Sequence, residues 1–241
     1  MRALTLFAVL PAAVLMAAPQ HPLDGIAAAV NEEIISIGEV RRAARLAREE
    51  RFGLGALCRG ERMPAAQLAA GTPIERAPVV AGQPLSNQEL EQARECLIDT
   101  RLVFREVRRF PRIAATDEQI DQLVADLVER FESAVELEAE LERVGLTNEE
   151  LRADLRRQLL VSEYIDNRFL ATVDITDQAA REAWDTEFVP DMQARGIPVP
   201  PYETVAEDLL VPILQQREVN RRVQSWILDL RERATIRRKY P

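Results

Sequence analysis

Histidine is almost missing from this chain of 241 residues: His21 is the only one, and it stands close to the N-terminus. Histidine triads, histidine-rich zinc sites and mechanisms that need a histidine base inside a fold are thereby excluded. Lysine is as scarce, since Lys239 is the one lysine among 31 basic residues. The arginines do not form a single-sign block; they alternate with Glu and Asp at helical spacing, which marks solvated helix faces rather than a nucleic-acid-binding stripe. A formal net charge of −9 repels nucleic acid and anionic lipid alike. No G-x-x-x-x-G-K-[ST], G-x-G-x-x-G or G-x-S-x-G occurs, so no nucleotide cofactor or nucleophile elbow is expected. After residue 18 no apolar run approaches the roughly 20 residues that span a bilayer, so no stable membrane insertion is expected either.

What is present begins with Arg2 and an apolar run from Leu4 to Ala18, interrupted by Pro11 and ending in small residues. That layout reads as a secretory signal, with cleavage near Ala17 or Ala18; an uncleaved membrane anchor is the other reading, which the shortness of the run disfavours. Residues 1–18 are read as the signal and 19–241 as one exported domain. The two cysteines, Cys58 and Cys96, then carry weight, because an even count in an exported chain favours a disulfide, here closing a loop of 39 residues. In the chain-entropy account such a bridge stabilises by roughly 3–4 kcal/mol. The other possibility is that Cys96 is a core residue of its helix and Cys58 a free thiol.

Residues 26–37, IAAAVNEEIISI, read as two short strands about Asn31-Glu32-Glu33. Helices follow. Four segments open with Ser/Thr-x-x-Glu/Gln: Ser36 with Glu39, Ser86 with Glu89, Thr116 with Gln119, and Thr147 with Glu150. In this box the hydroxyl and the later side chain satisfy each other's backbone N–H groups, and each box heads a run of period near 3.6. The stripes are Leu90, Ala93, Leu97, Phe104 and Val107; then Ile120, Leu123, Val124, Leu127, Val128 and Phe131; then, after a helix over 133–144 closed by a left-handed Gly145, Leu151, Leu155, Leu159, Ser162, Ile165 and Phe169. Residues 202–233 form a long amphipathic stretch with Val205, Leu209, Ile213, Val219, Val223, Trp226, Ile227 and Leu230, bent by Pro212. The tail ATIRRKY alternates like a strand and is expected to pair with the N-terminal hairpin. Two stretches break the pattern. Residues 53–85 hold nine of the 23 Gly and Pro residues and read as an insertion, and 189–201, VPDMQARGIPVPP, reads as an extended Pro-rich connector.

Several of these segments resemble the SurA family of periplasmic chaperones. LDGIAAAVNEEIISIGEVRRA at 23–43 is similar to the family's opening hairpin and first helix, and LEQARECLIDTRLVFREVRR with TDEQIDQLVADL to its second helix and the start of its third. LTNEELRADLRRQLLVSEYI, ITDQAAREAWDTEF and PYETVAEDLLVPILQQREVNRRVQSWILDLRERATI follow in the family's order. The resemblance implies a mainly α fold: a helical chaperone core, a small N-terminal β-hairpin, and a long C-terminal helix and closing strand that pack back on the N-terminal part. Family members commonly carry parvulin-type prolyl-isomerase domains before that helix. Here 189–201 alone fills the position, and a dozen residues cannot fold as a domain.

The function so implied is an ATP-independent periplasmic holdase, not an enzyme and without cofactors, whose partners are unfolded polypeptide clients. Phe104, Phe110, Phe131, Tyr164, Phe169 and Trp184 are the candidate client-binding side chains, although aromatic residues at helical spacing also serve as core. Two other functions remain: residual prolyl isomerisation at an unrecognised site, and an accessory subunit that binds one fixed secreted partner through 53–85. The paired cysteines generate a direct test. Protein isolated from an oxidising compartment and alkylated without reductant is expected to show no modified thiol by mass spectrometry; two alkylated cysteines in the intact folded protein would exclude the bridge.

Overall fold

In a computed structural model, residues 25–48, 83–110 and 112–240 are described. The expected signal segment, Cys58 and nearly all of 53–85 lie outside them. Strands β1 (Ile26–Val30) and β2 (Glu33–Ser36) form the expected hairpin, antiparallel with Val30 opposite Glu33. The tight turn between them puts Asn31 at φ 55°, a left-handed conformation that asparagine tolerates better than most residues. Helix α1 (Ile37–Arg48) starts directly from β2: the Glu39 amide donates to Ser36 Oγ at 3.1 Å, and the Ser36 amide donates to the Glu39 carboxylate at 2.8 Å.

The other three boxes form as well. They open α2 (Asn87–Val107), α3 (Asp117–Val128) and α5 (Asn148–Arg168), and between the last two lies α4 (Ala134–Val144), capped by Gly145 at φ 74°. A 3-10 turn at Leu170–Thr172 leads to α6 (Asp177–Ala183), which runs through a π-helical turn at Trp184–Phe188 into α7 (Val189–Ala194). Helix α8 (Tyr202–Val205) and a second π turn at Ala206–Leu210 feed α9 (Val211–Glu232), and the chain closes with β3 (Ile236–Arg238). The fold is mainly α, with one three-stranded antiparallel sheet in the order β2-β1-β3.

Burial divides into three clusters. The largest joins the sheet to α1, α2, α9 and the C-terminal half of α5, with Ala27, Ile35, Val40, Ile98 and Val219 completely enclosed. A second joins α3 and α4 to the N-terminal half of α5 through Phe131, Leu137, Leu141 and Leu151. A third, smaller one holds Ala180, Tyr202, Ala206 and Leu210 together in a satellite lobe built by α6, α7, α8 and the two π turns. Helix α5 serves two clusters, so its buried face is wider than one stripe: Val161 and Tyr164 are buried alongside Leu151, Leu155, Leu159 and Ile165.

Two expectations are corrected. Residues 189–201 are not extended throughout, because Val189–Ala194 is helical. Pro190 follows directly on the π turn, whose wider winding accommodates it within the helical run, and Gly196 ends the helix at φ 67°. Likewise Leu209 and Ile213 are exposed rather than core, since the stripe that enters the satellite lobe is Tyr202, Ala206 and Leu210. Pro212 falls in the first turn of α9, just after the π turn.

Helix α9 returns to α2, as the sequence implied. Its Val219, Val223, Trp226 and Leu230 are buried, and an ionic clamp fastens the end of the chain. The Arg231 guanidinium donates to Asp99 and, at 2.9 Å, to Glu95; Arg238 donates to Glu95 at 2.8 and 2.9 Å; Arg94 donates to the Tyr240 carbonyl. The Arg238 hydrogen bond first, then those from Arg231 and Arg94, hold the Glu95 carboxyl down at about 2, against an ordinary 4.5. Burial pushes Asp99 the other way, partly offset by Arg231.

Two outcomes follow from this packing. Trp226 is 6 % exposed, and its ring lies 5.4 Å from that of Tyr164 and 5.5 Å from that of Phe169, so Trp226→Ala removes a core side chain. The expected loss is about 3–5 kcal/mol, seen as a drop of roughly 10 °C in thermal midpoint; an unchanged midpoint would place Trp226 outside the core. Because Glu95 is depressed in the folded state, its contribution is present above about pH 4.5 and is lost as pH falls toward about 2. Glu95→Gln is therefore expected to lower the melting temperature at neutral pH and to flatten its decline across that acid window. Asp99 has the opposite sign, so Asp99→Asn should not flatten it.

Candidate functional site

The six candidate client-binding aromatics do not converge on one groove. Phe110, at the end of α2, stands 5.1 Å from Tyr164 of α5, and Tyr164 and Phe169 both contact Trp226 of α9. The Arg168 guanidinium lies 5.4–5.8 Å from the Tyr164, Phe169 and Trp226 rings and donates to the Tyr164 hydroxyl at 2.8 Å. Tyr164 is only 2 % exposed, whereas Phe110 is 46 % exposed and Arg168 is exposed as well, so those two are what the cluster shows to solvent. Phe104 packs half-buried against the main core. Phe131 is buried in the second cluster. Trp184 belongs to the satellite lobe, stacked on Phe188 at 5.0 Å and edge-on to Tyr202 at 5.9 Å.

A cavity of about 300 Å³ opens between α1, α2 and α5. Its walls alternate charge: Arg42 pairs with Glu150, Arg101 with Glu39, and Arg157 with Asp154, while Cys96 and Thr100 stand 4.0 Å apart on the α2 side. Burial, and after it the nearby charge of Arg101, pulls the Arg157 guanidinium below its ordinary range. Each arginine there already has a carboxylate, which makes the cavity a cross-linked joint between three helices. Glu150 shows the economy of the arrangement, since it both caps α5 and holds Arg42 of α1.

The two ends of the stretch between α1 and α2 meet. Arg48, the last residue of α1, donates to the Gln83 carbonyl at 2.8 Å, to the Pro84 carbonyl at 3.1 Å, and to Glu89 at 2.6 and 2.8 Å. The Arg48 hydrogen bond, followed by that from the Ser86 amide, lowers Glu89 to about 2. The chain thus leaves and rejoins the helical body at one clamped point. That is the geometry of an insertion. Cys96 sits two and a half turns further along α2, while its expected partner Cys58 is outside the described residues.

One feature escaped the sequence reading. The satellite lobe carries Leu209 and Ile213 one turn apart on an outward face, with Ile197 and Val199 exposed on the turn between α7 and α8. The lobe also carries an excess of acidic residues, which a window-by-window count of charge along the sequence would have found.

Among the described residues, no group of three or more His, Cys, Asp or Glu side chains is placed to hold a metal ion, and no helix is long and apolar enough to cross a membrane. What the arrangement offers chemically is recognition: exposed apolar edges beside charged side chains, held on helices. No protein-family model matches the chain, and none of the curated proteins is significantly similar to it.

Proposed function

We propose that the protein is an ATP-independent holdase of the periplasm, resembling the chaperone core of the SurA family without its isomerase domains, and that it shields extended apolar segments of unfolded polypeptide. The observation that carries this reading is the closure of the fold: the N-terminal hairpin, the helices behind it, and a C-terminal helix and strand that return to pair with β1, in the order the resemblance implies. Where the family commonly carries an isomerase domain this chain has a short helix and turn, which supports a holdase over an isomerase. Exposed apolar side chains on rigid helices, each able to contact many sequences weakly, suit a binder of low selectivity. A second reading, an accessory subunit for one fixed secreted partner, draws on the clamped insertion, whose ends Arg48 holds together.

The test is twofold. The mature protein is expected to suppress aggregation of several unrelated unfolded proteins, including an outer-membrane protein, at near-stoichiometric ratio without ATP. It is also expected not to accelerate prolyl isomerisation, whose uncatalysed time of tens to hundreds of seconds leaves a protease-coupled assay ample room to detect catalysis. Failure to protect any of the clients would favour the single-partner reading, and catalysis that survives His21→Ala would restore the isomerase alternative.

A further inference from the structure

Charge is distributed unevenly over the molecule. Between Asp174 and Leu214 the chain carries nine carboxylates against two arginines, a net of −7 from 41 residues, so the other 200 account for only −2 of the total of −9. Three of the nine are neutralised: Asp177 by Arg181, Asp191 by Arg195, and Glu187 by Arg217 from α9. The remaining six, Asp174, Glu182, Asp185, Glu203, Glu207 and Asp208, are exposed and form no ion pair among the described residues, although Arg181 feels the charge of Glu203. The helical body differs in net charge rather than in lacking free carboxylates: Glu39, Glu89, Glu95, Asp99 and Glu150 are each held by an arginine, while others such as Glu118 and Glu149 form no ion pair among the described residues.

The same lobe exposes apolar surface. Ile197, Val199, Leu209 and Ile213 are 36–40 % exposed, four of the nine large apolar side chains so exposed among the described residues. Leu209 and Ile213 share one helix face, and Glu207 and Asp208 directly precede Leu209 in the π turn. A lobe that exposes apolar side chains and carries an excess of carboxylates selects against anionic lipid and nucleic acid and favours a ligand that brings positive charge beside apolar groups. The chain's own insertion does not fit: residues 49–82 hold four acidic residues and four arginines and are neutral overall. A second copy, itself negative in total, is also a poor match.

We propose that this acidic satellite lobe is a docking surface for extended polypeptide segments in which lysine or arginine lies beside apolar side chains. The proposal rests on the holdase reading for the origin of such segments, and it names which of them the protein prefers. Apolar contact to Leu209 and Ile213 supplies non-specific affinity, and the six unpaired carboxylates supply selection by charge.

The test uses the mature protein and two disordered peptides of about 15 residues, long enough when extended to reach across the lobe. Both have the same apolar residues; the intervening positions are lysine in one and glutamate in the other. By fluorescence anisotropy the lysine peptide should bind about tenfold or more tightly at low ionic strength, and the preference should collapse as added salt shortens the screening length to a few ångströms. E207K/D208K should abolish the preference, and L209S/I213S should weaken binding while leaving its salt dependence. The control E118K/E149K, with the same charge change on α3 and α5, should retain it. Equal affinity for the two peptides, or a preference that E207K/D208K leaves intact in a normally melting protein, would overturn the proposal. The two readings fail separately. Charge-selective binding without suppression of client aggregation leaves the docking surface standing and removes the holdase reading, whereas suppression without charge selection does the opposite.

Discussion

Strand β1 is paired on both sides, and that pairing closes the molecule. Its neighbours are β2, two residues of chain away, and β3, which arrives from the far end after every helix has been traversed. Three further backbone bonds fasten the same junction: the Asn31 amide to the Thr235 carbonyl at 2.8 Å, and the Lys239 and Tyr240 amides to the Ala27 carbonyl at 2.8 and 3.1 Å. An isolated two-stranded hairpin is marginal in water, so β1 and β2 depend on β3 and on the helices that cover them. Helix α9, in turn, is held against α2 at the end that leads into β3. The contacts between the ends of the chain are long-range in sequence, so the sheet and the α9–α2 interface belong to one cooperative unit rather than to separate pieces.

Within that unit the ion pairs decide alignment more than they add stability. Exposed pairs contribute between nothing and about 1 kcal/mol each, and most of these are partly exposed. Their value is geometric, because a guanidinium offers a planar fork that fits two acceptors at once. Arg231 joins Asp99 to Glu95, one turn of α2 apart, and Arg238 reaches Glu95 from the closing strand. Together they fix where along α2 the C-terminal helix rests. Arg48 does the same for the two ends of the insertion. Arginine suits these bridging roles better than lysine would, which gives the chain's lopsided basic composition a structural use.

The sequence was most informative where the chemistry is local. All four capping boxes form, Gly145 takes the left-handed cap, Asn31 turns the hairpin, and the tail pairs as a strand, because each depends on residues within a few positions of one another. It was least informative where two faces must meet. Periodicity placed Phe131, Tyr164 and Trp184 on helices but could not tell that they enter three different clusters. It counted Leu209 and Ile213 with the core because an unbroken helix would carry one stripe from Val205 to Leu230. The π turn at Ala206–Leu210 holds an extra residue, and the stripe on its N-terminal side turns through Tyr202, Ala206 and Leu210 into the lobe. The helix at Val189–Ala194 was hidden by the prolines around it. Pro190 lies directly after the π turn inside a helical run, a placement that propensity alone does not predict.

The satellite lobe is a pair of helical legs joined by the Gly196 turn, and its few buried residues are too small a core to stand alone. It has order because its second leg continues without interruption into α9, whose buried stripe belongs to the main core. The Glu187–Arg217 pair ties the first leg to the same helix, and the Asp177 side chain accepts from the Tyr202 hydroxyl at 2.7 Å to join leg to leg. Arg181 stacks 4.2 Å from the Tyr202 ring at that joint, so the lobe spends its two cations internally or on adjacent acids. The carboxylates left over are therefore those on its outer surface, beside the apolar side chains that the π turn leaves outside. They are the groups that a cationic segment lying across the lobe would meet, and because the lobe is rooted in α9, such a segment would rest beside the helix that closes the sheet.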